Sequence, residues 1–446
     1  MKNKTMVFKD YLIEKYLVLF IPVFFIISIF LLEVSLLVLT LFFFFYIIRN
    51  KEFKFLNNNF FKIFILFYLF LIARYLLRSE PYSDASIFFY FRYGIYALSI
   101  YYFLCKISNL DQKFFKVIKG SFILLFIDSS LQFITGKNIL GFPLLDTGRV
   151  ASFFGNEAIL GSYIFHFFPF ILLGEIKSKN IKTIIFYTII SFLCILMSGE
   201  RSSLGLFIIL MCFYLIVFNH RIGLKKISFI FLSLILSISI LIFFSPQFKQ
   251  RFIIQTYTEM KDFNFGINRE FEKENLRQKT IFDKMYIFSG YHNNLLLTAL
   301  EFNKSNKLYG IGPRGFKNLC KELIYKDDNG NIRLKESKFN LNIHSCSSHP
   351  HNYYFQILAE LGILGLLFIF SFYFFIIYKV LQLLFRRNSN NSSDYLLIIY
   401  GFFFINLWPI TTSGDFFNNW VSIIIYIPFA FYLYVLNNNI ANLQKK

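Results

Sequence analysis

The sequence predicts an all-α polytopic membrane protein: one transmembrane domain over residues 1–446, with about twelve helices and a large external loop before the tenth. Three observations predict this. Hydrophobic residues make up 56% of the 446, and Phe alone numbers 65, more than one globular core can use. Apolar runs of membrane-spanning length recur along nearly the whole chain. Lys and Arg gather in alternate intervals between those runs.

Spans are expected near 12–31, 34–48, 59–77, 86–105, 114–134, 157–174, 181–197, 202–219, 226–244, 352–382, 394–411 and 418–436. Glu33 alone divides the first pair. The first apolar run follows Lys2, Lys4, Lys9 and Lys15 and leads into another span without a small-residue cleavage site, so it reads as an anchor. With the N-terminus in the cytoplasm, the inside intervals carry Arg49, Lys51 and Lys54, then Lys106 and Lys113, then Lys177 and Lys179, then Arg221, Lys225 and Lys226, then Arg386 and Arg387. Lys445 and Lys446 close the chain on the same side. The opposite intervals are poorer in cations: Glu33, "SGER" at 198–201 and "TTSGDFFNNW" at 411–420, with Arg78 and Arg149 as exceptions. Both termini are therefore expected in the cytoplasm.

Residues 245–351 are too long and polar for a connector and are expected to form an external lid or subdomain. "KDDNGN" at 326–331 signals a turn there, and 281–304 reads as helical. Cys320 and Cys346 both fall in this loop. A disulfide between them would stabilise it by about 3.5 kcal/mol in the chain-entropy treatment. Cys105, Cys194 and Cys212 lie in spans, where Cys behaves as a small apolar residue. Zinc held with His344, His349 or His351 is an alternative, but the spacings match no familiar template.

The formal charge of +20 invites a nucleic-acid reading. The cations, however, sit singly or in small groups between apolar runs rather than in a stripe on a soluble domain. No Walker A sequence and no strand-bound GxGxxG is present. "GIGPRG" at 310–315 lies outside and reads as a tight turn that places Arg314.

The groups able to do chemistry plot to the outer side. Arg149 precedes span six, with Asn156 and Glu157 at its start. Glu200 and Arg201 occupy the tip between spans seven and eight. His349, His351 and Asn352 open span ten, with Pro350 fixing the turn. Arg92 in span four and Asp128 and Gln132 in span five lie deeper. Each has a plainer reading: an Arg at a helix end can snorkel, Ser198 or Ser202 can cap span eight, Tyr353 and Tyr354 can anchor at the interface, and Arg92 with Asp128 can form a buried structural pair. Taken together, outward guanidinium groups and a neutral imidazole suit glycosyl transfer from a lipid diphosphate to a hydroxyl. Arg grips phosphate and the departing charge, and His accepts the proton, with no metal or nucleotide cofactor.

Five blocks carry a resemblance: "GRVASFFGNEAILGSYI" (148–164), "SGERSSLGLF" (198–207), "GIGPRGF" (310–316), "HPHNYYFQILAELGILGLL" (349–367) and "SGDFFNNW" (413–420). In content and order they resemble the O-antigen ligase and polymerase superfamily of bacterial inner-membrane glycan transferases. The resemblance implies a multi-pass inner-membrane protein of lipopolysaccharide biosynthesis with a periplasmic active site. Its donor would be a glycan on undecaprenyl diphosphate, and its acceptor a lipid A-core sugar (ligase) or another lipid-linked repeat (polymerase). By that likeness Arg201 grips the diphosphate and His351 activates the acceptor hydroxyl. The family often carries a further Arg in a segment resembling "SGYHNNLLLTALEF" (289–302), where this chain has His292 and no Arg. His292, Arg314 or Arg149 could take that place. A flippase or other transporter is the reading from a different class, distinguished by polar groups near the midplane and inverted repeats. His351 is further expected to lie near Arg201, whose charge would keep the ring neutral.

Overall fold

The computed structural model describes residues 11–77, 82–176, 180–222, 249–257, 289–326, 332–335, 339, 341, 346–385 and 391–443. Among the described residues, eight helices are long and apolar enough to cross a membrane: Ile29–Arg49, Asn59–Leu76, Ala85–Lys106, Leu110–Thr135, Ile181–Ser198, Arg201–Phe218, Tyr353–Phe385 and Asn419–Asn437. Leu160–Ile176 and Ser393–Asn406 are shorter apolar helices. The chain is an all-α polytopic membrane protein. The expected ninth span at 226–244 lies outside the described residues, as do Arg78, Lys177, Lys179, Lys225, Lys226, Arg386, Arg387, Lys445, Lys446, His344 and most of the "KDDNGN" turn.

The first pair of spans is divided differently from expectation. Helices α1 (Leu12–Leu19), α2 (Ile21–Ile27) and α3 (Ile29–Arg49) break at Phe20 and Ser28, not at Glu33. Pro22 sits in the first turn of α2, where its missing N–H costs nothing, and so marks a new start. Ser28 is extended, and its hydroxyl caps α3 by accepting from the Phe30 N–H (3.1 Å). Glu33 stays inside α3 because Arg92 neutralises it (3.2 Å). The expected Arg92–Asp128 pair is therefore not formed.

Helices α4 (Asn59–Leu76), α5 (Phe91–Lys106), α6 (Leu110–Thr135), α7 (Leu160–Ile176), α8 (Ile181–Ser198) and α9 (Arg201–Ile222) follow. The segment between α9 and the helix at Tyr353–Phe385 supplies α10 (Gly290–Ser305), α11 (Gly315–Leu323) and an antiparallel pair, β1 (Ile324–Lys326) with β2 (Ile332–Leu334). The chain then enters α12 (Tyr353–Phe385), α13 (Asn391–Asn406) and α14 (Asn419–Leu443). Helix α5 packs along α14 and α3, α7 along α8, α6 and α13, and α10 along α12. The external pieces have a small core of their own, including Phe302, Ile311, Phe316, Leu319 and Leu323. Cys320 of α11 and Cys346 are joined by a disulfide, with Cα atoms 5.5 Å apart.

Helix α12 is broken at Gly362, whose φ of 69° and ψ of −164° are not helical. Such a break frees backbone groups that lipid cannot satisfy, so another segment of protein must. Residues 303–312 do so. The Ile363 and Leu364 N–H groups donate to the Lys307 (2.9 Å) and Leu308 (3.3 Å) carbonyls, and the Ile311 and Gly312 N–H groups donate to the Ala359 and Glu360 carbonyls (2.9 Å each). Asn303 donates to the Leu358 carbonyl (2.8 Å). Arg74 of α4 completes the clamp, donating to the Tyr309 (2.9 Å) and Gly310 (3.2 Å) carbonyls. The turn at 310–315 is thus a backbone splice onto a broken helix.

A Cβ at Gly362 would lie 2.4 Å from the Leu308 backbone, and its φ/ψ is essentially reserved for glycine. Gly362→Ala should therefore destabilise by about 3 kcal/mol or more and lower membrane abundance. Gly120 of α6 is exposed, with nothing within 4 Å of a built Cβ. Gly120→Ala should be neutral or stabilising by less than about 1 kcal/mol. Thermal unfolding of the two purified variants checks both, and equal midpoints would contradict the splice.

Candidate functional site

A cavity of about 1510 Å³ opens where the α8–α9 turn, the mouth of α12, the 411–415 loop and the external helices meet. Its walls include Arg149, Arg201, Arg251, His292, Arg314, His349, His351 and Asp415, and an apolar stretch with Phe25, Ile26, Ile29, Phe165, Leu206 and Ile209.

The cationic wall is built from backbone carbonyls and one buried acid. Helix α8 ends at Gly199 in a left-handed conformation (φ 65°), the usual glycine C-cap, and α9 begins two residues later. Arg149 Nε donates to the Ser198 carbonyl (2.9 Å), and Arg251 Nε to the Gly199 carbonyl (3.3 Å). Arg201, the first residue of α9, donates from Nη1 to Thr256 Oγ1 (3.0 Å), tying 249–257 over the turn. Loop 136–152, which presents Arg149, is held by α6: Asp128 accepts from the Ile139 N–H (2.8 Å) and the Ser152 hydroxyl, and Gln132 bonds Ser152, Phe142 and Pro143. Asp128 and Gln132 are scaffold groups for this wall.

Glu200 was expected among the substrate-binding residues, yet its carboxylate is fully engaged elsewhere. It accepts from the Gly161 N–H (2.7 Å), the Ser162 N–H (3.0 Å) and hydroxyl (2.7 Å), and the Ser203 hydroxyl (2.8 Å). Those N–H groups belong to the first turn of α7, so Glu200 caps that helix from a neighbouring turn. Gly161 makes the approach possible, since a Cβ there would meet Ser198 Oγ at 2.7 Å. Burial pushes the Glu200 carboxyl up, opposed by these hydrogen bonds and by the Arg149 charge. Burial likewise lowers the Arg149 guanidinium, with Glu200 opposing and the Arg201 charge adding to the shift.

The histidines form a second group. The ring of His351 lies 4.0 Å from that of His349 and 5.2 Å from that of His292, centroid to centroid. His351 adopts φ 55°, a left-handed conformation costing roughly 1–3 kcal/mol in a non-glycine residue. It is held there because its carbonyl accepts from the Ser413 N–H (2.8 Å). Asn352 caps α12 by accepting from the Tyr354 (3.0 Å) and Phe355 (3.2 Å) N–H groups, and donates to the Pro409 (2.8 Å) and Thr411 (3.1 Å) carbonyls. Asn352 thus fixes the turn that carries His351. Gln356 continues the splice to Asp415 (2.6 Å) and Phe416 (2.9 Å). Serine hydroxyls pair with the other rings, Ser289 with His292 Nδ1 (2.7 Å) and Ser348 with His349 Nδ1 (2.9 Å). His349 Nε2 is buried without a hydrogen-bond partner among the described residues.

His351 is pushed down to about 4 by burial, then by the His349 and His292 charges, with the Ser413 bond opposing. Burial also lowers His349, opposed by Asp415. The expected neutral ring is present, but its causes are desolvation and neighbouring imidazoles, not Arg201. Among the described residues no group of His, Cys, Asp or Glu is arranged to hold a metal ion.

Of the other expected site residues, Glu157, His292 and Arg314 line the cavity. Asn156 is exposed and outside its lining, and Arg92 lines a smaller adjoining pocket. Arg251, Lys317 and Asp415 line the cavity but were missed in the sequence. Arg251 stands in "QFKQRF", just past the expected ninth span, where a cation reads as an ordinary flank.

His351 resists protonation in the folded protein, so between pH 6.5 and about 4 the unfolded chain binds a proton that the folded chain does not. Stability should fall as pH drops through that window. The thermal midpoint should be lower at pH 5 than at pH 7.5, and the gap should shrink, without vanishing, in His351→Gln, because His349 shifts the same way. An undiminished gap in that variant would show that His351 does not contribute.

No curated protein matches the chain. Residues 186–370 match the O-antigen ligase family, a segment running from α8 through the external helices to the broken α12 and carrying Glu200, Arg201, His292, Arg314 and His351. Over this segment the chain is similar to the O-antigen ligase family.

Proposed function

We propose that the protein moves a glycan from a lipid diphosphate, undecaprenyl diphosphate in the bacterial inner membrane, to a sugar hydroxyl on an acceptor at the periplasmic face. The observation that carries this is one cavity lined by four guanidinium groups, four imidazoles and an apolar wall. Arg149, Arg201 and Arg251 hold the diphosphate, and the wall with Phe25, Ile26, Ile29 and Ile209 receives the start of the prenyl chain. Both termini lie in the cytoplasm, and 245–351 forms the periplasmic subdomain.

In the reaction, the acceptor oxygen attacks the anomeric carbon of the donor sugar while a His351 ring nitrogen takes the hydroxyl proton. The bond from that carbon to the diphosphate oxygen breaks, and the electron pair leaves with the lipid diphosphate. Guanidinium groups are suited to that step because they bind phosphate oxygens in a charge-assisted fork and stabilise the growing charge. The neutral state of His351 keeps an acceptor nitrogen available at neutral pH. The acceptor is a lipid A-core sugar, making the protein a ligase. A second lipid-linked repeat would make it a polymerase through the same chemistry. Deletion followed by glycan profiling separates these: free lipid-linked polymer with bare core means ligase, and unpolymerised single repeats mean polymerase.

His351→Ala should lower transfer by roughly 10²–10⁴ while leaving donor binding intact, the usual worth of a general base. Arg201→Ala should weaken donor binding itself, and Arg201→Lys should retain part of the activity because it keeps charge but not the fork. Transfer assays and donor titrations at equal membrane abundance check these outcomes. A loss below tenfold in His351→Ala would remove it from proton transfer.

A further inference from the structure

Arg314 is a charged side chain on a backbone that favours none. It caps α11 at φ 58°, a left-handed conformation that glycine adopts freely and other residues only under constraint. The constraint is Glu360 of α12, which accepts from the Arg314 (2.9 Å) and Phe316 (3.2 Å) N–H groups. The guanidinium donates to Ser86 Oγ (2.5 Å) and lies 3.9 Å from Asp84. Arg314 lines the main cavity with Lys317, and it also lines the adjoining pocket of about 300 Å³ with Arg92, Ser86, Tyr93 and Asn419.

Arg92 Nε in that pocket is buried without a hydrogen-bond partner among the described residues. Arg92 pairs with Glu33, and Arg314 lies beside Asp84, whose carboxylate also feels the Lys317 charge. Burial raises Asp84, but bonds from Ser86 and the charges of Arg314 and Lys317 hold it below the ordinary carboxylate range. These cations stand on α5 and α11, whereas Arg149, Arg201 and Arg251 stand around the α8–α9 turn. The main cavity also exceeds the roughly 300–1,000 Å³ of a typical single small-ligand site.

We propose that Arg314, with Lys317 and Arg92, forms a second anion subsite that holds a phosphate group of the acceptor, separate from the subsite for the donor diphosphate. This rests on the transferase reading, in which two lipid-borne substrates meet in one cavity. The phosphate belongs either to a phosphorylated lipid A-type acceptor or to a second lipid diphosphate.

The test is binding to the full chain in nanodiscs without reaction. The probes are diphosphorylated lipid A, dephosphorylated lipid A and undecaprenyl diphosphate, and the variants are Arg314→Gly, Arg314→Gln and Arg201→Ala. In both Arg314 variants we expect one of two results. A tenfold or greater loss of phosphate-dependent lipid A binding identifies the first source. A fall from two bound undecaprenyl diphosphates to one identifies the second. Arg314→Gly should unfold no earlier than wild type, since it relieves the left-handed backbone. A lowered midpoint in that variant overturns the proposal, because the side chain would then be structural. Unchanged binding in both variants overturns it too, as does a wild-type protein that binds one undecaprenyl diphosphate and no lipid A. Normal undecaprenyl diphosphate binding by Arg201→Ala, with loss in the Arg314 variants, would instead overturn the assigned donor site and leave the second subsite standing.

Discussion

The break in α12 at Gly362 is the constraint from which the site's outer half follows. A helix interrupted inside a membrane protein leaves carbonyls and N–H groups that must find protein partners. Here they find residues 303–312, and the pairing fixes the external segment against the bundle. Glu360, two residues before the break, reaches across to cap α11 and holds Arg314 in place. Three glycines are needed for this. A Cβ at Gly310 would lie 2.5 Å from the Glu360 backbone, one at Gly312 would meet Ser83 Oγ at 1.8 Å, and Gly362 admits the Leu308 backbone. Gly310 of "GIGPRG" serves close backbone approach, as phosphate-binding glycines do, but what approaches is a helix.

The same logic governs the inner half. Guanidinium groups around a cavity repel one another, and the fold offsets this with oriented carbonyls and one acid. The C-terminal carbonyls of α8 carry partial negative charge, and Arg149 and Arg251 bond to two of them. Glu200 lines the cavity with both carboxylate oxygens already engaged by four donors. The outcome is a cationic wall whose counter-charges are already committed.

Hydropathy made the long helices legible, because lipid demands runs of apolar residues whatever the partners. Arg201, His349 and His351, which line one cavity, stood out for the complementary reason, that ionisable groups at span mouths are costly without a use. Pairings across the chain were not. Arg92 looked like a partner for Asp128 because both were polar groups in neighbouring spans, and nothing local announces that α3 carries Glu33 to Arg92 instead. Glu200 looked like a ligand group because capping another segment, the first turn of α7, leaves no mark in sequence. The break at Ser28 escaped notice since a single Ser in an apolar run reads equally well as buried helix.

The two halves of the site hang on separate scaffolds, and this bears on how charge is managed. Arg149, Arg201 and Arg251 are fixed by α7, α8 and α9. His349 and His351 are fixed by α12 and the loop at 407–417, through Asn352, Gln356 and the Ser413 N–H. The causes that keep His351 neutral lie within its own half: burial, His349 and His292. Its protonation state therefore need not change when an anion binds the guanidinium groups or departs. A base whose neutrality depended on Arg201 would gain proton affinity once a diphosphate neutralised that charge, at the stage where the proton should still be on the substrate. Neutrality set by burial avoids that coupling, and it gives the histidine cluster a role that the cationic wall alone could not supply.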